Sequence, residues 1–218
     1  MRVGIVAEGP ADVAVIRNIL KGKLGMDRSD THVIRPELSE DATDLAERGY
    51  RPQREVEFSN WRLVLEECRE RTRIETFLVN QIDEERLVVV HLDTAEAHEP
   101  GYDIAQPDRG VDGYCDALRA LVVAKLDAYL GPSLAAQVRH AIAVEETDAW
   151  VLTLHDKQDK RDTSARLHPK ERLKHVLSLK ADPPPERYHE LTRELRQRKT
   201  LDACAKRNRS LRLFVDSL

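Results

Sequence analysis

Two apolar runs that each end in a carboxylate constrain this chain more than any other feature. "VGIVAEGPAD", residues 3–12, leads small and β-branched side chains straight into Glu8, after which Gly9-Pro10 breaks the strand. "RLVVVHLD", residues 86–93, repeats the pattern and ends in Asp93. Strands with one solvated face alternate apolar and polar residues, whereas strands buried on both faces read as continuous apolar runs. The runs therefore predict a parallel sheet covered by helices. The tips of such strands are where open α/β sheets bind ligands.

The intervening segments fit that plan. Strand one, residues 2–7, is followed by a helix over "ADVAVIRNILKGKLG", with Val13, Ile16, Ile19 and Leu20 on one face. "THVIRPEL" holds a short second strand ended by Pro36, and residues 37–56, acidic and without period, read as a loop or weakly ordered insert. "SNWRLVLEECRERTRIETFLVNQI" reads as one long helix capped by Ser59 or Asn60, its inner face traced by Trp61, Val64, Leu65, Cys68, Thr72, Glu75 and Leu78–Val79. After the 86–93 strand come a loop, "TAEAHEPGYDIAQPDRG", and a helix stopped by Gly131. A strand at 138–144 runs directly into "EETDAWVLTL". Strand–helix alternation of this kind predicts an α/β fold, a parallel four-stranded sheet flanked by helices. The expected organisation is an α/β domain over 1–154 with a basic helical C-terminal extension, 155–218, packed on it; "PKERLKHVLSL" and "DPPPERYHELTREL" both place Pro where helices start.

Charge divides along the same line. Residues 1–150 carry 18 Lys and Arg against 29 Asp and Glu, and residues 151–218 carry 17 against 10. An acidic body with a basic tail fits an enzyme whose carboxylates hold cations while Lys and Arg meet a polyanion, although Arg-rich surface helices account for the tail equally well. No run approaches the roughly 20 apolar residues of a membrane helix, and Glu8, Asp12 and Arg17 interrupt any secretory pattern at the start. Cys68, Cys115 and Cys204 are far apart, odd in number and without metal-like spacing, which reads as reduced thiols in a cytoplasmic protein.

Acids follow three of the strands: Glu8; Asp93 with Glu96; and Glu145, Glu146 and Asp148. Parallel strands bring such tips to one edge, so the Glu8 and Asp93 carboxylates are expected about 4–8 Å apart, as ligands of a hard divalent cation, Mg²⁺ or Mn²⁺, require. The bland alternative makes these acids helix caps and solvated loop residues, Asp12 and Asp148 above all. "HLDTAEAH" offers His91, Asp93, Glu96 and His98, but their spacing matches no standard zinc motif. Trp61 and Trp150 precede apolar helical faces and read as core. The chain has no Gly-x-x-x-x-Gly-Lys-Ser/Thr loop, so ATP hydrolysis would have to come from another protein.

A strand ending in "AEGPAD" followed by a strand ending in "VVVHLD" resembles the TOPRIM domain shared by topoisomerases, primases and OLD-family nucleases. "VEETDAWVLTL" is similar to the Glu-Ala-Trp segment of a bacterial TOPRIM-like family of unknown function linked to mobile elements and phage defence, and "SLRLFVDSL" is a weaker echo of its ending. The resemblance covers roughly residues 1–155. It implies that Glu8 is a metal ligand or general base, that Asp93 is the leading metal ligand of the second motif, and that Asp148 stands where the family has Glu, with Glu145 and Glu146 as competing ligands. It departs at "DTAE", where Ala95 replaces the second Asp and Glu96 is the nearest substitute. Two functions follow. The first is a divalent-metal-dependent nuclease acting on DNA or RNA, the backbone gripped by Lys170, Arg172, Lys174, Arg207 and Arg209. The second is a catalytically degenerate scaffold that docks on a partner ATPase. A homodimer is compatible with either.

Overall fold

The computed structural model describes residues 1–36, 61–79, 84–157, 162–164 and 166–218. Four parallel strands, β1 (Arg2–Val6), β2 (Thr31–Arg35), β3 (Arg86–Asp93) and β4 (Val138–Ala143), form one sheet in the order β2-β1-β3-β4. The α/β expectation holds at this level: a parallel four-stranded sheet flanked by helices, with further helices after it. Register decides where the strand tips end up. Val6 pairs with Val90 and Asp93 with Ala143, so Glu8, Asp93 and the residues after Ala143 leave the sheet at nearly the same height.

Period-two alternation sends neighbouring residues of each strand to opposite faces. Val3, Ile5, Val89, Ala141 and Ala143 face one apolar layer, and Val6, Val88, Val90, Leu92 and Ile142 face the other. On the second face lie α2 (Trp61–Glu70), α3 (Thr72–Val79) and α4 (Tyr114–Ala135). On the first lie α1 (Pro10–Leu24), α5 (Asp148–His155), α6 (Pro169–Val176), α7 (Pro185–Leu191), α8 (Arg198–Ala205) and α9 (Arg209–Ser217). The C-terminal helices thus complete the layer begun by α1: Leu201, Cys204, Leu211 and Phe214 share a cluster with Val15, Ile16 and Ile19. Gly22 makes this approach possible, because a Cβ there would collide with the backbone carbonyl of Leu195.

One expectation fails on the second face. The single helix read from Trp61 onward is two helices, broken at Arg71, which adopts φ 64°. A left-handed residue resets the helical phase, so Ile74, Phe77 and Leu78 turn inward while Thr72, Glu75 and Val79 are exposed. Arg71 is held there by its side chain, which donates to the Tyr129 carbonyl at 2.7 Å. Gly131 does stop the regular part of α4, at φ 74°, before a last helical turn. The insert at 37–56 and the caps Ser59 and Asn60 lie outside the described residues. Among the described residues no helix is long and apolar enough to cross a membrane. Cys68, Cys115 and Cys204 are all free and buried.

Candidate functional site

The tips of β1, β3 and β4 meet in one acidic cluster. The Asp93 N–H donates to Glu8 Oε1 at 2.5 Å, across adjacent strands, because Gly9-Pro10 turns the chain away just as β3 continues past it. Glu8, His91 and Asp93 each offer a ligand atom, all within 4.8 Å of one another. That satisfies the expected spacing for Glu8 and Asp93. It also brings in His91, which shares a strand face with Asp93.

Asp93 is oriented from β4. Thr147, just past the strand, donates both its N–H and its hydroxyl to Asp93 Oδ1, each at 3.0 Å. With the Thr147 proton given to Asp93, His91 Nε2, 2.8 Å from the same oxygen, is the donor to it. His91 is fully buried, stands edge-on to Trp150, and has its pKa lowered by burial, so the imidazole is neutral. Its Nδ1 has no hydrogen-bond partner. A ligating His normally donates its second nitrogen to an outer partner; the Nε2–H of His91 goes to Thr147, so His91 orients Thr147 and, through it, Asp93.

The turns around these tips are stapled. Glu145 adopts φ 67°, a strained conformation for a non-glycine residue. In it the Glu145 carbonyl accepts from the N–H groups of Thr94 and Ala95, and its N–H donates to Thr94 Oγ1 at 2.8 Å. The side chain of Glu145 points elsewhere, to Arg109 at 2.7 Å and the Tyr114 hydroxyl. The Tyr102 hydroxyl donates to the Asp93 carbonyl from beneath, and Trp61 stacks on Tyr102.

Like charges perturb the whole cluster. Burial, then the charge of Asp12, pushes Glu8 up to about 8, against the opposing pull of the backbone N–H groups of Asp93 and Trp61. Burial and then the charges of Glu8 and Asp12 raise Asp93 well above the usual carboxylate range. Asp148 is pushed up to about 6, chiefly by burial, although the Tyr188 hydroxyl donates to its Oδ1 at 2.7 Å. Both Glu8 and Asp93 nevertheless keep some solvent contact, with 21% of the Asp93 side chain exposed. They stand at the solvent-reachable rim of the sheet rather than in a sealed core.

The remaining sequence-derived residues divide. Glu96 is half-buried and close enough to raise the pKa of Glu8. Glu146 accepts from the Lys170 N–H at 3.2 Å and lies 3.8 Å from its Nζ. Burial works against the Lys170 ammonium, but Glu146 and Asp148 outweigh it and hold its pKa above the ordinary lysine value. The other basic candidates are engaged within the fold. Arg172 pairs with buried Asp156, Lys174 with Glu171 and Asp182, and Arg209 with both oxygens of Asp116. Arg207 donates to the carbonyls of Thr153 and Asp156 at the end of α5. His98 is exposed and outside the cluster.

Asp12 is the residue sequence reasoning passes over. It does cap the Gly9 N–H, at 3.0 Å, as a plain reading predicts. From the same position its charge acts on Glu8, Asp93, Asp148 and Tyr188. The "DAWVLTL" and "SLRLFVDSL" stretches also meet: Trp150 donates to Ser210 Oγ at 2.8 Å and stacks on Phe214, wholly buried as core. Comparison of the chain with protein-family models, with curated proteins and with solved structures returns no match.

Proposed function

We propose that this protein is a divalent-metal-dependent phosphodiesterase of TOPRIM type, a cytoplasmic enzyme that hydrolyses DNA or RNA. One observation carries the reading. Glu8 and Asp93, delivered by adjacent parallel strands, meet with Asp12, Glu96 and Asp148 around them, and no cationic side chain pairs with either among the described residues. Among the described residues the one ion-pair neighbour of Asp93 is His91, which burial keeps neutral. Carboxylates crowded in this way raise one another's pKa, and Lys170, which feels Asp148 and Asp93, is engaged most by Glu146. Hard oxygen donors at a solvent-reachable rim suit Mg²⁺ or Mn²⁺.

Glu8 and Asp93 would hold the ion, with Glu96, Glu146 or Asp148 completing the donor set through water. When bound, the ion supplies charge neutralisation at the scissile phosphate and lowers the pKa of an attacking water. The chain's own groups do the rest. His91 and Thr147 hold the Asp93 carboxylate in one orientation. A carboxylate at the rim, Glu8 foremost, takes the proton of the water that attacks phosphorus. The P–O ester bond then breaks to leave one phosphate monoester and one hydroxyl. Lys170, protonated beside Glu146, faces the phosphate charge.

The test is cleavage of labelled single- and double-stranded DNA and RNA by purified protein with Mn²⁺ or Mg²⁺, with and without a partner ATPase. Asp93→Asn and Glu8→Gln keep the side-chain shape and remove the charge, and each is expected to lower the rate at least about 100-fold with the fold retained. A second reading, a catalytically silent scaffold for an ATPase partner, is favoured by Ala95 in place of a second acid. It stands if the wild-type chain binds no divalent ion and both substitutions leave every activity unchanged.

A further inference from the structure

A basic groove lies beside the acidic cluster, on the face of α1 that the cluster does not use. It encloses about 650 Å³ between α1, the start of α7 and the 3-10 turn Arg193–Arg196. Its α1 wall runs from Pro10 to Lys21, twelve residues spanning about 16 Å at a helical rise. One end therefore abuts Pro10, two residues from both Glu8 and Asp12. The same α7 that forms its second wall carries Tyr188, which donates to Asp148.

Three guanidinium groups converge on this groove without a carboxylate partner among the described residues: Arg17, Arg28 and Arg196. Arg17 donates to the hydroxyl of Thr31. Arg196 donates to Asn18 Oδ1 at 2.7 Å and meets the ring of His189, whose other nitrogen lies 3.3 Å from Glu190 Oε1. Buried Asn18 is itself fixed by the His189 carbonyl and the Thr192 hydroxyl, which fixes the Arg196 fork in turn. Burial, and then the charge of Arg28, lowers the pKa of Arg17. The groove's acids do not answer these charges: Asp27 is paired with Lys21 at 2.7 Å, and Glu186 makes no ion pair among the described residues. The surplus is cationic, rigidly presented, and of a type that matches phosphate oxygens in pairs.

We propose that this groove binds the phosphates of a single nucleic-acid strand flanking the bond presented to Glu8 and Asp93. Its length takes several nucleotides, and its guanidiniums come from three elements that wall it, Arg17 from α1, Arg28 from the 3-10 turn Arg28–Asp30 and Arg196 from the 3-10 turn Arg193–Arg196. That the strand is a substrate rests on the phosphodiesterase reading; that the groove binds its phosphates does not.

The experiment separates the two. Full-length protein carrying Asp93→Asn, the variant expected to lose cleavage, is titrated into a fluorescein-labelled dT12 in EDTA, and anisotropy is read across salt concentrations. Arg28→Gln, at an exposed position, is expected to weaken binding at least about threefold. Combined Arg17→Gln, Arg28→Gln and Arg196→Gln is expected to weaken it at least about 30-fold and to flatten the log–log salt slope by about 2, given a slope of about −0.7 per phosphate neutralised on single strands. Arg28→Lys should restore most of the single-site loss, and thermal midpoints establish that each variant folds. No binding by the parent, an unchanged Kd or salt slope in folded variants, or competition by a mononucleotide or inorganic phosphate as good as that by dT6 overturns the proposal. Arginine-dependent binding by a wild-type chain that cleaves nothing with any divalent ion keeps the groove and removes the phosphodiesterase. Cleavage with an unchanged KM in the triple variant does the reverse.

Discussion

The acidic edge of the sheet and the helices that follow residue 155 treat charge in opposite ways. In the helices, opposite charges meet: Arg172 with Asp156, Lys174 with Glu171 and Asp182, Arg198 with Asp202 and Arg209 with Asp116. At the edge, Glu8, Asp12, Asp93 and Asp148 stand together, each raising the energy of another's charged form. A basic composition in the tail therefore reports packing to a large extent, whereas carboxylates kept close at a partly exposed strand edge, Glu8 and Asp93 without a cationic pair among the described residues, suit a counter-ion from outside. Charge that is answered within the fold is poor ground for a binding surface, and charge that is not answered is better ground.

The sharpest way to break that contrast is at the buried pair in the tail. Asp156 is 2% exposed, and Arg172→Ala removes the guanidinium 2.8 Å from its carboxylate. We expect a loss of about 3 kcal/mol, since a buried charge that loses a paired guanidinium is poorly compensated, and a fall in thermal midpoint of about 6–12 °C. A change under about 2 °C, by the same scaling, would mean that the pair with Arg172 contributes little to holding the fold. Next in size is the response to metal. Mn²⁺ at a hundredfold excess over its Kd should stabilise the wild-type chain by about 2.7 kcal/mol, an upward shift of about 5–11 °C. Asp93→Asn should abolish the shift, as calorimetry with and without EDTA would reveal.

The third effect is one of pH. Glu8 titrates near 4.5 in an unstructured chain and is pushed up to about 8 in the fold. Between those values the folded protein holds a proton that the unfolded chain gives up, so the metal-free protein is most stable below about 4.5 in this respect and loses that stability as pH rises through about 8. Glu8→Gln should raise the metal-free midpoint at pH 8 by a few degrees, on the order of 1–2 kcal/mol, and flatten its decline between acid and neutral pH. A variant whose midpoint falls with pH as steeply as the wild type would remove Glu8 from the cluster's electrostatics. The smallest effect belongs to Arg209→Ala. Its pair with Asp116 is 34% and 47% exposed, so about 1 kcal/mol at most is at stake. A larger loss would mean that the tail's exposed pairs, not only its buried one, hold the fold.

The strands and the acids at their tips are legible because uninterrupted apolar runs and the Gly-Pro break act locally. Glu8 and Asp93 follow from parallel geometry alone. What escapes depends on contacts no local pattern encodes. The break at Arg71 is made by a side chain reaching Tyr129, 58 residues away. Tyr188 reaches Asp148 from 40 residues further along the chain. Thr147 and His91 act on Asp93 as a relay that exists only once β3 and β4 are paired. Asp12 misleads for a different reason: capping explains it fully at short range, and a sufficient local role hides the second one. The basic tail misleads in the other direction, because composition counts charges without showing which of them already have partners.

The layer shared by α1 and the last helices has a consequence for how this protein is made. Val15, Ile16, Ile19 and Leu20 leave the ribosome about 180–200 residues ahead of residues that cover them, Leu201, Leu211 and Phe214. At about 5–20 residues per second, roughly 10–40 s of synthesis separate the two groups. For that interval one face of the nascent sheet stays greasy and open, able to stick to its neighbours on the same polysome. A chaperone that shields α1 until residue 215 has emerged, or a slow codon tract that prolongs the wait, would change the yield of active protein without altering a single contact in the finished fold.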